Sequence, residues 1–223
     1  MTGGLAPSVI AADFANLGAS LRAVEASATS WHVDVMDGHH VPNLTIGPMI
    51  IEAIASVSAI PQDVHLMITN PDETWEWYAK AGAARIAFHP EVSADPAALL
   101  RRIAGAGLGA GLAINPDVEA EGLKPLVEDA DHLIVMSVYP GFSGQRFIPD
   151  VLGKLRTFRD WVENGEAAVQ LIIDGGVNLE TAPACVEAGA HLLVSASAVF
   201  GAPDPARVAA SLRAIASGER MMR

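Results

Sequence analysis

The sequence predicts an α/β fold, a single (β/α)8 barrel of the TIM type over residues 1–223, and three observations carry that expectation. Short apolar stretches alternate along the whole chain with Ala- and Leu-rich stretches of helical period. This strand–helix unit recurs about eight times within 223 residues, near the lower size for a closed barrel. Polar and titratable residues gather at one end of the expected strands, whose middles are mostly Val, Ile, Leu and Ala. Repeated units of this kind imply a parallel sheet with right-handed crossovers. An open doubly wound sheet is the alternative, but it more often shows a glycine-rich fingerprint after its first strand. Here that position reads AADFANLG.

The first strand, Leu5–Ile10, carries Ser8 near its end, and a helical pattern follows over Asn16–Ala26. In the second, Trp31–Met36, Trp31, Val33 and Val35 alternate with His32, Asp34 and Met36. A period of two places the imidazole, the carboxylate and the thioether on one face. Asp37-Gly38 breaks that run and Pro42-Asn43 delays the next helix to Pro48–Ser56. The third strand, Gln62–Met67, brings Asp63, His65 and Met67 before a helix over Glu73–Ala81. Strand four, Arg85–His89, runs into Pro90-Glu91 and a helix over Pro96–Ala104. Strand five, Gly109–Ile114, ends at Asn115-Pro116 before a helix over Val118–Val127. Strand six, His132–Ser137, leads into the loop PGFSGQ and a helix over Pro149–Glu163. Strand seven, Val169–Asp174, ends in Asp174-Gly175-Gly176 before Leu179–Glu187. Strand eight, His191–Val194, precedes Ser195-Ala196-Ser197 and a final helix over Pro205–Ala216.

Composition excludes several function classes. The net charge is −12 with 14 Lys and Arg, and no basic run offers the clustered cations that nucleic acid or an anionic lipid surface requires. Hydrophobic residues make up 51% and charged ones 18%, which suits a packed globular core. Cys185 is the single cysteine and has no partner for an internal disulfide, as expected in a reducing compartment. The start, MTGGLAPSV, shows neither the basic nor the apolar region of a signal peptide. No stretch offers the roughly 18 uninterrupted apolar residues of a membrane span. The expectation is a soluble cytoplasmic protein that binds neither nucleic acid nor membrane.

The strand ends supply two candidate constellations. His32, Asp34, His65 and Asp174 come from strand ends two, three and seven. Two imidazoles and two carboxylates suit Zn²⁺, Fe²⁺, Mn²⁺ or Co²⁺ and suit Ca²⁺ poorly. Their scattered spacing leaves the alternative of a buried His beside a surface Asp. The glycine-bearing turns Pro140–Gln145 and Asp174–Val177 lead into helices, and their amides can converge on a phosphate. The loop after strand eight, with Ala196 and Ser197, belongs to the common phosphate site of this architecture. The alternative is that the glycines only permit tight turns. Met36, Met67 and Met136 either line a lid over a sugar chain or pack the core. His39 and His40 are expected in an exposed loop without a role, and His89 either faces the site or serves a turn at Pro90. Trp75, Trp77 and Tyr78 read as packing or a subunit contact, and Glu119, Glu121, Glu128, Asp129 and Asp131 as a solvated acidic face.

These segments also carry a resemblance. PSVIAADFANLG, HVDVMDGHHVPN, DVHLMITNP, MSVYPGFSGQRFIPDVLGKLR, DGGVN and VFGAPDP together resemble the ribulose-phosphate 3-epimerase family, from Pro7 almost to the end of the chain. The resemblance implies a barrel of the ribulose-phosphate-binding type. It implies one divalent metal ion, zinc foremost with iron, manganese or cobalt as alternatives, on His32, Asp34, His65 and Asp174. By the same resemblance Asp34 and Asp174 are the acid/base pair, and Ser8 and His65 touch the substrate. Phosphate would lie on the amides of Gly141, Phe142, Ser143, Gly144, Gly175 and Gly176 and on the Ala196-Ser197 turn. The implied reaction is metal-dependent 3-epimerisation of D-ribulose 5-phosphate to D-xylulose 5-phosphate, a step of the pentose phosphate pathway, in a homo-oligomer, dimer or hexamer.

Departures from the family pattern touch the phosphate end. Ala196 and Ser143 stand where the family more often has glycine, and Ile46 and His89-Pro90-Glu91 also differ. They leave the ketose open, with D-allulose 6-phosphate as the alternative. A catalytically silent phosphate-binding barrel is a third reading, against which the intact His/Asp set speaks. A lyase or decarboxylase generally wants a lysine at a strand end, whereas Lys80, Lys124 and Lys154 fall in helical stretches.

Overall fold

Along each strand the side chains divide by parity, and that division builds the molecule. A computed structural model describes residues 3–218, so the outermost residues of the expected 1–223 span lie outside it. Its strands are β1 (Gly4–Pro7), β2 (Trp31–Met36), β3 (Gln62–Met67), β4 (Ala83–Phe88), β5 (Gly109–Ile114), β6 (His132–Met136), β7 (Gln170–Asp174) and β8 (Leu192–Ser195). Outward side chains such as Val33, Leu66, Phe88, Leu112, Val135 and Ile173 pack under the helices in one large apolar layer. Inward ones, Ala6, Ala87, Ala113, Ile134, Ile172 and Val194 among them, fill the lumen. The small lumen residues on β1, β4 and β5 share that space with the rings of His32 and His65, as close packing demands.

All strand pairs are parallel, in the order β1-β8-β7-β6-β5-β4-β3-β2. Between β1 and β2 the ring is joined by a single parallel bridge, Ser8 to His32. The expected barrel is therefore present and nearly closed. Helices α1 (Leu17–Val24), α2 (Pro48–Val57), α3 (Pro71–Ala81), α4 (Pro96–Gly105), α5 (Lys124–Val127), α6 (Val151–Glu163), α7 (Ala182–Glu187), α8 (Ser197–Phe200) and α9 (Pro205–Ser217) lie between and after the strands. Proline opens α2, α3, α4 and α9, where its missing N–H has no helical partner to lose. Asp95 and Asp204 cap α4 and α9, each accepting a backbone amide at 3.0 Å. Among the described residues no helix is long and apolar enough to cross a membrane.

Several bounds shift by one or two residues and the short α8 was not expected; three further differences have a local cause. The first strand stops at Pro7, where Ser8 Oγ accepts the Ile10 amide at 3.4 Å and caps a 3-10 segment, Val9–Ala11. The helix expected over Val118–Val127 is a 3-10 turn, Glu121–Leu123, followed by the short α5. The helix expected from Leu179 begins at Ala182, since Asn178 Oδ1 accepts the amides of Glu180 (2.8 Å) and Thr181 (3.1 Å) and holds that stretch as a turn. Trp75 and Tyr78 are packing residues, while Trp77 points away from the core and is 56% exposed.

Candidate active site

The site grows from the even-numbered residues of β2. His32 and Asp34 face the lumen, and the register of β2 with β3 sets Asp34 beside His65. Asp174 closes the set from the C-terminal end of β7, two strands beyond β1 around the ring. One ligand atom from each of the four lies within 4.8 Å of all the others. His32 Nε2 is 3.3 Å from Asp34 Oδ1 and 3.4 Å from Asp174 Oδ2. His65 Nδ1 is 3.4 Å and 3.7 Å from the same two oxygens. Both rings are fully buried, yet neither nitrogen makes a hydrogen bond among the described residues. Buried polar atoms are ordinarily partnered. Two orphaned imidazole nitrogens facing two carboxylate oxygens are what a divalent ion would satisfy, and the N/O donor set fits one.

Electrostatics agree. Burial raises the carboxyls, but the neighbouring imidazoles outweigh it and hold Asp34 and Asp174 below the usual carboxylate range. Burial likewise disfavours charge on His32 and His65, and the same carboxylates outweigh it and raise both. The uncharged, solvent-stripped state that burial alone would enforce is thus replaced by a charged cluster.

Behind the four lie further titratable groups. Asp63 Oδ2 stands 3.9 Å from His32 Nδ1 and 3.1 Å from Arg85 Nη2, and its Oδ1 is 3.7 Å from His132 Nε2. Burial opposes the Asp63 charge, and Arg85 foremost holds the carboxyl low. On the other side His65 Nε2 is 2.9 Å from His89 Nε2. His89 is therefore a buried neighbour of the centre, which decides between its two readings. His40 corrects the exposed-loop expectation: it is half-buried, its ring 4.9 Å from that of His89. His39 is exposed as expected.

Above the four side chains opens a cavity of about 540 Å³, within the usual range for small-ligand sites of roughly 300–1,000 Å³. Ser8, Asp34 and Asp174 line it, as do Gly141, Phe142, Ser143, Gly144, Gly175, Gly176, Ala196 and Ser197. His32 and His65 lie beneath the lining rather than in it. The Ser8 hydroxyl donates to Asp34 Oδ2. The loop after β6 is stapled by Gln145 Nε2, which donates to Tyr139 O (2.7 Å) and Phe142 O (3.0 Å).

Gly175 and Gly176 have φ of +116° and +63°. A Cβ at Gly176 would meet Phe147 N at 2.7 Å, so only glycine fits there. At the two departures no such demand exists. Ala196 has φ −106°, and no non-glycine residue among those described, Ser143 included, has positive φ. Met36, Met67 and Met136 reconcile their alternatives, since all three are nearly fully buried and also line the cavity. Sequence reasoning missed Arg146, the one cation among the lining residues. Its position directly after PGFSGQ was the available signal.

Residues 4–200 match the model of the ribulose-phosphate 3 epimerase family. The ribulose-phosphate 3-epimerase of Mycobacterium bovis is 48% identical over 215 residues, covering 95% of this chain and 93% of that protein. That of Bacillus subtilis is 43% identical over 211 residues, covering 94% and 97%. Among solved structures, 3-hexulose-6-phosphate synthase from Salmonella typhimurium matches with a TM-score of 0.71 at 16% identity, over 99% of this chain and 100% of that one. This last likeness is one of fold.

Proposed function

The chain belongs to the ribulose-phosphate 3-epimerase family and is an epimerase, and on that premise we propose that it interconverts D-ribulose 5-phosphate and D-xylulose 5-phosphate by two-carboxylate proton transfer. The observation that carries this reading is the pair Asp34 and Asp174, borne by β2 and β7 on either side of β1 and β8, at one cavity floor. Inverting the carbon beside a ketone requires removing its proton on one face and returning a proton on the other. Asp34 and Asp174 fill those two roles, base and acid, and exchange them when the direction reverses, through an enediolate. The Ser8 hydroxyl orients Asp34 through Oδ2 and offers the substrate a polar contact. The glycine turns at Gly141–Gly144 and Gly175-Gly176, the Ala196-Ser197 turn and the Arg146 guanidinium take the phosphate. Met36, Met67 and Met136 keep water from the reacting carbon.

His32, Asp34, His65 and Asp174 would hold one divalent ion, zinc foremost, and two orphaned buried nitrogens support that assignment. Bound there, the ion supplies positive charge against the negative charge that develops on the substrate oxygens. We read the chain as one domain acting in the cytosol, in the pentose phosphate pathway, as a homo-oligomer. A second reading keeps the mechanism and lengthens the ketose to D-allulose 6-phosphate, left open by Ser143 and Ala196, which line the cavity where the family more often has glycine.

Metal-loaded protein incubated with each ketose phosphate and followed by NMR tests the reading. Ribulose 5-phosphate is expected to give xylulose 5-phosphate at least about tenfold faster than the hexulose reacts, the smallest ratio that one extra carbon ordinarily brings. The reverse order would move the substrate, and no product from either would contradict the proposal.

A further inference from the structure

Each metal-facing imidazole has a second nitrogen, and that of His65 leads away from the cavity into a row of polar groups. His65 Nε2 and His89 Nε2 are 2.9 Å apart, with the rings inclined by 29°. Both rings are fully buried, so no water competes for either nitrogen. His89 Nδ1 faces Glu91 Oε1 at 3.5 Å, and that same oxygen accepts Asn115 Nδ2 at 2.6 Å. The row runs from the lumen at β3, across β4, to the start of the loop after β5.

Proton counting orders this row. A neutral imidazole carries one N–H and one lone pair. Two facing nitrogens hydrogen-bond only when one carries the proton and the other is bare. His65 Nδ1 points at Asp34 and Asp174, and a lone pair there leaves the His65 proton on Nε2. That N–H donates to His89 Nε2, which must then be bare, and the His89 proton stands on Nδ1 toward the Glu91 carboxylate. We propose that His89 and Glu91 are positioning residues that hold His65 in the tautomer whose Nδ1 is a ligand atom. Outer partners of metal-bound histidines commonly act in this way. The proposal rests on reading His32, Asp34, His65 and Asp174 as a metal centre.

The same tautomer decides a second question. Donor atoms of His40, His89 and Glu91 also lie within 4.8 Å of one another, close enough for a metal site. With its proton on Nδ1 and its Nε2 lone pair accepting from His65, His89 has no lone pair free to give there. Occupancy of the first site therefore closes the second, and the chain holds one ion.

Zinc binding and ring ¹⁵N NMR test this directly. The expected results for the parent are one zinc per chain and ¹⁵N shifts that place the proton on His65 Nε2 and the metal on Nδ1. His89→Leu removes the acceptor and is expected to weaken zinc binding about 10- to 100-fold in chelator competition, whereas His89→Gln keeps an acceptor and stays within about threefold. Glu91→Ala moves affinity in the same direction as His89→Leu. Parental affinity in a folded His89→Leu, failure of His89→Gln to restore it, or two zinc ions per chain would each overturn the relay and leave the centre standing, whereas a proton on His65 Nδ1 would overturn the relay and remove His65 from the ligand set. A parent that binds no zinc would overturn the centre and the relay together. If His89→Leu does not fold, the ¹⁵N spectrum of the zinc-loaded parent decides.

Discussion

At Gly111 on β5 a Cβ would come within 2.3 Å of His132 Nε2, so the ring of His132 occupies the space a side chain would take. That ring is fully enclosed near Asp63 and Arg85, and burial pushes its pKa down to about 4 despite the Asp63 carboxylate. Gly111→Ala must displace a packed ring, and we expect it to cost about 1–3 kcal/mol of stability in urea unfolding, the usual range for overpacking. Parental stability in that variant would contradict the packing described. The surroundings of Gly111 and His40 escaped the sequence, and those of His89 stayed undecided, because their neighbours are distant along the chain. The four centre residues did not, since a period of two places His32 and Asp34 on one face within a single motif, while His65 and Asp174 stood at other strand ends and joined them through the family resemblance. Arg146 lay between the two cases: it directly follows the PGFSGQ loop, but nothing in its spacing sets it at the cavity.

Among the elements, the loop after β2 is tied to the loop after β3 by one side chain. Asp37 Oδ2 accepts the amide (2.7 Å) and hydroxyl (2.9 Å) of Thr69, and Oδ1 accepts the amides of His39 (2.8 Å) and His40 (2.9 Å). Burial resists the charge, but these hydrogen bonds prevail and lower the Asp37 pKa to about 2. A carboxyl lowered on folding stabilises above its unfolded pKa, near 3.8, and loses that contribution as pH falls through about 2. The parent is therefore expected to be more stable than Asp37→Ala at neutral pH, by about 1 kcal/mol, with the gap closing between those two pH values. A gap independent of pH would refute the assignment. Strands were readable as elements because β2, β3 and β5 follow their apolar or alternating runs residue for residue. Short helices were not, because Asn178 diverts the backbone into a side-chain-capped turn that helical periodicity does not register.

Across the whole molecule, the ring of strands is weakest between β1 and β2, where one bridge at Ser8–His32 adjoins the centre. An ion on β2, β3 and β7 would link strands on both sides of that seam. Binding to the folded state alone stabilises it by about 4 kcal/mol at a thousandfold excess over Kd, and each kcal/mol raises Tm by about 2–4 °C at this chain length. Zinc is accordingly expected to raise the Tm of the metal-stripped parent, and His32→Ala to abolish the rise. An equal rise in both proteins would place the ion elsewhere. The barrel itself was readable from eight strand–helix units, whereas its chemistry is not a property of the fold: the Salmonella typhimurium synthase shares the architecture at 16% identity. What is particular to this chain stands at the strand ends, where Asp34 and Asp174 are proposed to transfer the proton. The direct measurement is deuterium incorporation at C3 when metal-loaded protein converts ribulose 5-phosphate in D₂O. The account predicts xylulose 5-phosphate carrying solvent deuterium at C3, with Asp34→Asn and Asp174→Asn each slowing it about 10²- to 10⁴-fold while remaining folded. Epimer that keeps its original C3 hydrogen, or parental turnover in either variant, would contradict it.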